Sequence, residues 1–217
     1  MPRNNRTDAP RGGRSAAAGR GEIRIIGGEW RGRKLHFPQA GGLRPTPDRV
    51  RETVFNWLQF DVAGKHCLDL FAGSGALGFE ALSRGAAEVV FVERDPAAVA
   101  AIRDMLARLR CDRARVEQQD AFGFLATAPL RQPFDIVFLD PPYDERGLGR
   151  VCELLERGEW LASSAWIYLE DAASRGAPRL PPGWALLRSK TAGDVGYHLA
   201  RRDGAAANTN TNQQGRA

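Results

Sequence analysis

The 217-residue chain is 43% apolar with a formal net charge of +5, enough material for one αβ domain with a full core. No apolar run approaches the roughly 20 residues that span a bilayer, and no signal-peptide hydrophobic region follows the N-terminus. Cys67, Cys111 and Cys152 sit at unrelated spacings, so a disulfide framework is not expected and a reduced, cytoplasmic setting is.

The charge is unevenly spread. Residues 1–58 hold 12 Lys/Arg against 5 Asp/Glu, and residues 59–217 hold 19 against 21. A basic arm on a near-neutral body fits a polyanionic partner, nucleic acid first. Residues 1–21, rich in Arg, Gly and Pro, read as a disordered basic tail. A merely solvated tail is an equal reading of that stretch.

EIRIIGG (22–28) predicts a short alternating strand. Trp30 to Phe37 would return as its hairpin partner, with Gly27-Gly28 at the turn. Arg24, Trp30, Arg31, Arg33, Lys34 and His36 interleave basic and aromatic groups that can hold phosphates and stack bases. Trp30 reads equally well as a buried anchor of the hairpin. In LRPTPDRVRETVFNWLQF, Thr46 is placed to cap a helix and Pro47 to begin it. Val50, Val54, Trp57 and Leu58 form its core stripe. Arg49, Glu52 and Asn56 form a neighbouring polar stripe, solvated by default but near enough in sequence to a glycine turn for a ligand role.

That turn lies in CLDLFAGSGALGFEALSR (67–84): an apolar strand, then Gly73-Ser74-Gly75, then a helical pattern with Leu77, Ala81 and Leu82 on one face. The glycines let the backbone turn sharply and approach a ligand, and the helix start offers free N–H groups. Glu93, ending the next strand, is placed to take ribose hydroxyls. Strands at 67–71, 88–93, 114–119, 134–140 and 165–170 alternate with helices at 76–84, 96–110, 121–127 and 146–157. This pattern predicts a parallel sheet with helices on both faces. Two last strands near 184–190 and 195–200 are joined too tightly for a crossover, so an antiparallel edge hairpin is expected. Residues 203–217 read as a disordered polar tail. His66 beside Cys67 does not make a metal pair, because strand neighbours face opposite sides.

The fourth of these strands ends in Asp140-Pro141-Pro142-Tyr143. Ligands of open parallel sheets bind beyond the carboxyl ends of the strands, where the glycine turn, Glu93, Asp120 and this corner converge. Prolines fix φ and donate no N–H, so the corner presents acceptors only. Asp140 and a loop carbonyl can both accept from a planar NH₂ group and aim its lone pair at an electrophile. Tyr143 offers a stacking face worth about 1–3 kcal/mol.

On these residues the chain resembles the class I S-adenosylmethionine-dependent methyltransferases, with their Rossmann-like sheet. The resemblance implies that Asp69, Phe71, Ala72, Gly73, Ser74 and Gly75 hold the methionine part of the cofactor. It assigns Glu93, followed by Arg94, to the ribose and Asp120-Ala121 to the adenine side. Asp140 to Tyr143 matches the motif of enzymes that methylate exocyclic amines. RIIGGEWRGRKL, LRPTPDRVRETVFNWL and KTAGDVGYHL are similar to the RsmD-type ribosomal RNA guanine-N2 methyltransferases over roughly residues 22–201.

That likeness implies a cytoplasmic bacterial enzyme acting on one guanine of 16S rRNA in an assembling 30S subunit. Arg24, Trp30, Arg31, Arg33, Lys34, Arg44 and Arg49 are the expected RNA contacts. The expected partition is a tail at 1–21, an RNA-binding hairpin and helix at 22–60, a catalytic domain at 61–202 and a tail at 203–217. A monomer without metal or membrane contact is expected. A dinucleotide dehydrogenase would share the glycines and Glu93 but has no use for Asp140-Pro-Pro-Tyr143. A DNA adenine-N6 methyltransferase would share the cofactor and amine motifs but usually needs a separate target-recognition segment. A non-catalytic RNA-binding module would need only the basic arm.

Overall fold

The structure, a computed structural model, describes residues 20–38, 46–127, 132–142 and 147–203. Two strands, β1 (Arg20–Arg24) and β2 (Lys34–Pro38), form an antiparallel pair ahead of helix α1 (Asp48–Trp57). The sheet strands are β3 (His66–Asp69), β4 (Glu88–Glu93), β5 (Ala114–Gln118), β6 (Phe134–Leu139), β7 (Leu161–Ala172), β8 (Trp184–Ala192) and β9 (Val195–Arg202). Helices α2 (Ala76–Ser83), α3 (Pro96–Leu109), α4 (Ala121–Leu125) and α5 (Leu148–Arg157) connect the parallel strands.

The sheet order is β5-β4-β3-β6-β7-β9-β8, parallel from β5 to β7, with β9 antiparallel to both its neighbours. The expected Rossmann-like sheet with an antiparallel C-terminal hairpin is therefore present. Of the two last strands, β9 pairs with β7, and β8 lies outside it as the edge. β7 also runs well past the expected 165–170.

The inner positions of the central strands are apolar on both faces because helices cover both. Cys67, Leu68, Ile136, Val137 and Phe138 are fully buried. One face packs beneath α1, α2 and α3, and the other beneath α4 and α5. At β3 the chain order reverses, with β4 on one side and β6 on the other. The crevice of a doubly wound sheet opens at such a switch point.

The hairpin departs from expectation in two ways. First, β1 begins at Arg20 and stops at Arg24, and residues 25–33 form a long connection rather than a tight Gly27-Gly28 turn. Second, that connection is bound to α2. Glu80 Oε2 and Oε1 accept the Ile26 and Gly27 N–H groups at 2.8 Å each, and Ser83 Oγ accepts the Trp30 N–H at 2.9 Å. Gly28, at φ +76°, passes so close to the Ser83 carbonyl that any side chain would overlap it.

Ile23, Trp30, Leu35 and Phe37 consequently join the same core as α1 and the sheet residues Phe138 and Tyr168. The hairpin segment therefore shares one core with the sheet. Arg51 reinforces the junction: fully buried, it donates to the Arg24 carbonyl at 2.8 Å and to Asp48 at 2.6 Å. Its other terminal nitrogen lies 3.7 Å from the equally buried Glu80 carboxylate.

Candidate active site

The glycine turn follows β3 directly. Gly73 and Gly75 take φ of +51° and +75°, a left-handed region costly for residues with a Cβ. A Cβ on Gly75 would also stand 2.8 Å from the Phe79 ring. The Ala72 N–H donates to the Val92 carbonyl at 3.0 Å and the Leu70 N–H to Phe138 at 3.2 Å, so the turn is strung between β4 and β6. Gly78 serves packing, since a side chain there would collide with Phe91.

Two acids hold the turn from behind and from the side. Asp69, buried, accepts the Gly78 N–H at 2.9 Å, and burial pushes its carboxyl up to about 7. Glu93 accepts the Gly73 N–H at 2.7 Å and the Asp95 N–H at 2.8 Å, one on each oxygen. Each oxygen keeps a second lone pair, so vicinal hydroxyls can still be received there. Ser74 and Ala72 are buried, Phe71 is half-buried and Arg94 is exposed. Asp120, exposed at the end of β5, caps α4 by accepting the Gly123 N–H at 2.9 Å, with Ala121 buried behind it. The glycine turn, Glu93 and Asp120 thus stand at the ends of the neighbouring strands β3, β4 and β5, an arrangement into which an amino acid, a sugar and a base joined in that order would fit.

β3 and β6 are paired so that Asp69 lies level with Phe138, which sets Asp140 level with Phe71, beside the start of the glycine turn. Pro141 is buried and Pro142 exposed. Asp140 accepts the Thr46 hydroxyl at 3.2 Å. Burial pushes its carboxyl up to about 6, and the Thr46 hydrogen bond works against that rise. Thr46 was expected to cap α1, but the helix begins after Pro47 without a side-chain cap. The hydroxyl is turned to Asp140 instead. Tyr143 and Arg44 lie outside the described residues.

Sequence reasoning missed the groups behind Asp140. Glu170, buried near the end of β7, accepts the Tyr168 hydroxyl at 2.6 Å. The available signal was an acid inside the apolar run AWIYLE, which a buried strand does not admit without a partner.

The basic residues divide. Arg24, Arg31, Arg33, Lys34 and Arg49 are exposed. Arg24 and Arg31 line a cleft of about 330 Å³ with Ile25, Ile26, Gly32, Asp48 and Glu52, between the connection 25–33 and the first turns of α1. Lys34 pairs with Glu22 at 2.9 Å. Trp30 is the correction: its ring is buried, with the Arg113 guanidinium 5.9 Å from the ring centroid. It anchors the hairpin and presents no face to a base. Among the described residues no cluster of His, Cys, Asp and Glu could hold a metal ion, and no helix is long and apolar enough to cross a membrane.

The sequence model of a family described as "Conserved hypothetical protein 95" matches residues 23–201. A protein of Escherichia coli named ribosomal RNA small subunit methyltransferase D is 50% identical over 186 residues, 86% of this chain and 93% of that protein. A Bacillus subtilis protein named putative rRNA methyltransferase YlbH is 35% identical, over 84% of this chain and all of that protein. Among solved structures, a putative methyltransferase yhhF from Escherichia coli superposes with a TM-score of 0.78 at 47% identity. That match covers 84% of this chain and 99% of the other.

Proposed function

The chain belongs to the family described as Conserved hypothetical protein 95, that of the ribosomal RNA small subunit methyltransferase D proteins, and we propose that it methylates the exocyclic N2 amine of a guanine in 16S rRNA. One observation supports the amine target above others: Asp140-Pro141-Pro142 stands at the end of β6, beside the glycine turn after β3. S-adenosylmethionine, when bound, supplies a methyl group on a sulfonium sulfur that departs as a neutral thioether.

The protein's own part is positioning and proton handling. The Gly73–Gly75 turn and Glu93 hold the methyl donor along the strand ends. Asp140 accepts one amine hydrogen, which turns the nitrogen lone pair away from the ring and toward the methyl carbon. As the new C–N bond forms the nitrogen becomes acidic, and Asp140 carries its proton to solvent. No covalent bond to the enzyme is needed, and alignment supplies much of the rate. The guanine must leave its stack to reach this corner. The exposed Arg31, Arg33 and Lys34 supply phosphate contacts. The substrate is 16S rRNA in a partly assembled 30S particle, and the enzyme acts as a cytoplasmic monomer.

The test uses 30S particles and naked 16S rRNA purified from a strain lacking the enzyme. Nucleoside mass spectrometry should show new N2-methylguanosine with wild-type protein on particles and none with Asp140→Ala. Asp140→Ala should keep its affinity for S-adenosylmethionine. Any other methylated nucleoside would overturn the guanine-N2 assignment, and equal rates on both substrates would overturn the assembly-linked one.

A further inference from the structure

β7 lies parallel to β6 with Phe138 opposite Tyr168 and Leu139 opposite Leu169. Glu170 therefore stands level with Asp140, and strand alternation puts it on the same face as Tyr168. Both are buried, Glu170 at 2% exposure, and the Tyr168 hydroxyl donates to Glu170 Oε1 at 2.6 Å. On the far side Glu170 is paired in register with Tyr197 of β9. Trp57 stacks on Tyr197, and the Lys190 ammonium sits 5.9 Å above the Trp57 ring. The Thr46 hydroxyl donates to Asp140 and lies close enough to Glu170 to draw that carboxyl down. A buried acid in this position has no part in the mechanism as described so far.

We propose that Glu170 is a positioning residue for Asp140: with Tyr168 and Thr46 it forms a hydrogen-bonded frame that fixes the Asp140 carboxylate toward the amine. The inference rests on the amine-transfer reading above. Two adjoining carboxyls do not both ionise cheaply, so the more buried one keeps the proton. Burial, then the Asp140 charge, push Glu170 up to about 8, whereas Asp140 is raised to about 6. The proposal places the proton of this coupled pair on Glu170 at neutral pH and leaves Asp140 ionised.

In that state every donor in the frame points one way. Tyr168 donates to Glu170, Glu170 can donate to the Thr46 oxygen, and Thr46 donates to Asp140. The remaining lone pairs of Asp140 are left for the amine. Above about pH 8 Glu170 loses its proton. A second negative charge then adjoins Asp140 and the direction of the frame is lost.

Glu170→Gln keeps a neutral group that can accept from Tyr168 and donate to Thr46. Its kcat on 30S particles should stay within about threefold of wild type at pH 7, and the alkaline fall near pH 8 should disappear. Glu170→Leu should lose at least tenfold in kcat at unchanged cofactor affinity and unchanged KM for particles. Infrared titration of the cofactor-free protein gives a readout independent of turnover. Of the protonated-carboxyl bands, the last to vanish, near pH 8 in wild type, should vanish at lower pH in Asp140→Asn and be missing in Glu170→Gln, which keeps the Asp69 band near pH 7. The proposal is overturned if Glu170→Gln keeps the alkaline limb, if it is as slow as Glu170→Leu, or if the wild-type band is missing. Should Glu170→Leu fail to fold, the Gln variant and the infrared titration decide. If wild type methylates some base other than guanine, the guanine-N2 assignment fails while the infrared result still judges the frame.

Discussion

Thr46 and Asp140, 94 positions apart in the chain, meet in a 3.2 Å hydrogen bond from the threonine hydroxyl to Asp140 Oδ2. The bond ties the start of α1 to the end of β6. The hairpin precedes α1 and is fixed to α2 through Glu80 and Ser83. The N-terminal segment is thereby tied to the end of β6 through Thr46 and to α2 through Glu80 and Ser83.

Removing that bond should move a pH profile. Thr46 holds the Asp140 carboxyl below the value burial alone would give, so Thr46→Val should raise it further. The acidic limb of kcat/KM should shift to higher pH. The loss should be roughly fivefold at pH 6 and approach about tenfold, roughly 1.4 kcal/mol, at lower pH, as expected for one hydrogen bond to a charged group. Thr46→Ser should restore the parental profile.

Glu93 holds the Gly73 N–H of the glycine turn and the Asp95 N–H at the start of α3, so its loss should act on the turn as well as on the proposed ribose contact. Glu93→Ala should weaken S-adenosylmethionine binding by at least tenfold in calorimetry. The far-ultraviolet circular dichroism should stay unchanged. NAD should show no measurable binding to either protein.

The basic arm offers a contrast between neighbours. Arg31, Arg33 and Lys34 are exposed, so replacing all three with Ala should weaken RNA binding and reduce its salt dependence by up to about three phosphate contacts. Thermal stability should hardly change. Trp30 is buried, so Trp30→Ala should instead cost about 3–5 kcal/mol of stability, the usual range for emptying such a site. Its effect on RNA affinity in the folded protein should be the smaller one. Denaturant melts beside salt-dependent binding isotherms separate the two.

Stability should fall as pH rises. Asp140, Asp69 and Glu170 are raised to about 6, 7 and 8 in the folded chain, against roughly 4 for an unfolded carboxyl. Between these limits the folded state binds more protons than the unfolded one. Their contribution is therefore complete below about pH 4 and is lost as pH rises to about 8. Glu88 and Glu156 are lowered by their Arg115 and Arg202 partners, so their contribution is lost only on acidification below the ordinary range. Tm should decline from pH 5 to pH 8.5, and Glu170→Gln should flatten the upper part of that decline.

The alternating strands and helices, the glycine turn, Glu93 and the Asp140-Pro-Pro corner could all be read from the chain. Each is a local pattern: periodicity, a residue that alone tolerates positive φ, or an acid at a strand end. The order of the last two strands could not be read, because a hairpin pattern does not say which of its strands meets β7. Thr46 had a plausible local acceptor at its own helix start, and only the approach of β6 supplied the better one. Trp30 is open to two readings in the sequence, and its burial beneath the Arg113 guanidinium decides for the anchor. The Arg51–Glu80 pair and the Glu170 frame belong to the same class. Which buried charge finds which partner depends on surfaces brought together from distant parts of the chain, and desolvation then settles where the protons lie.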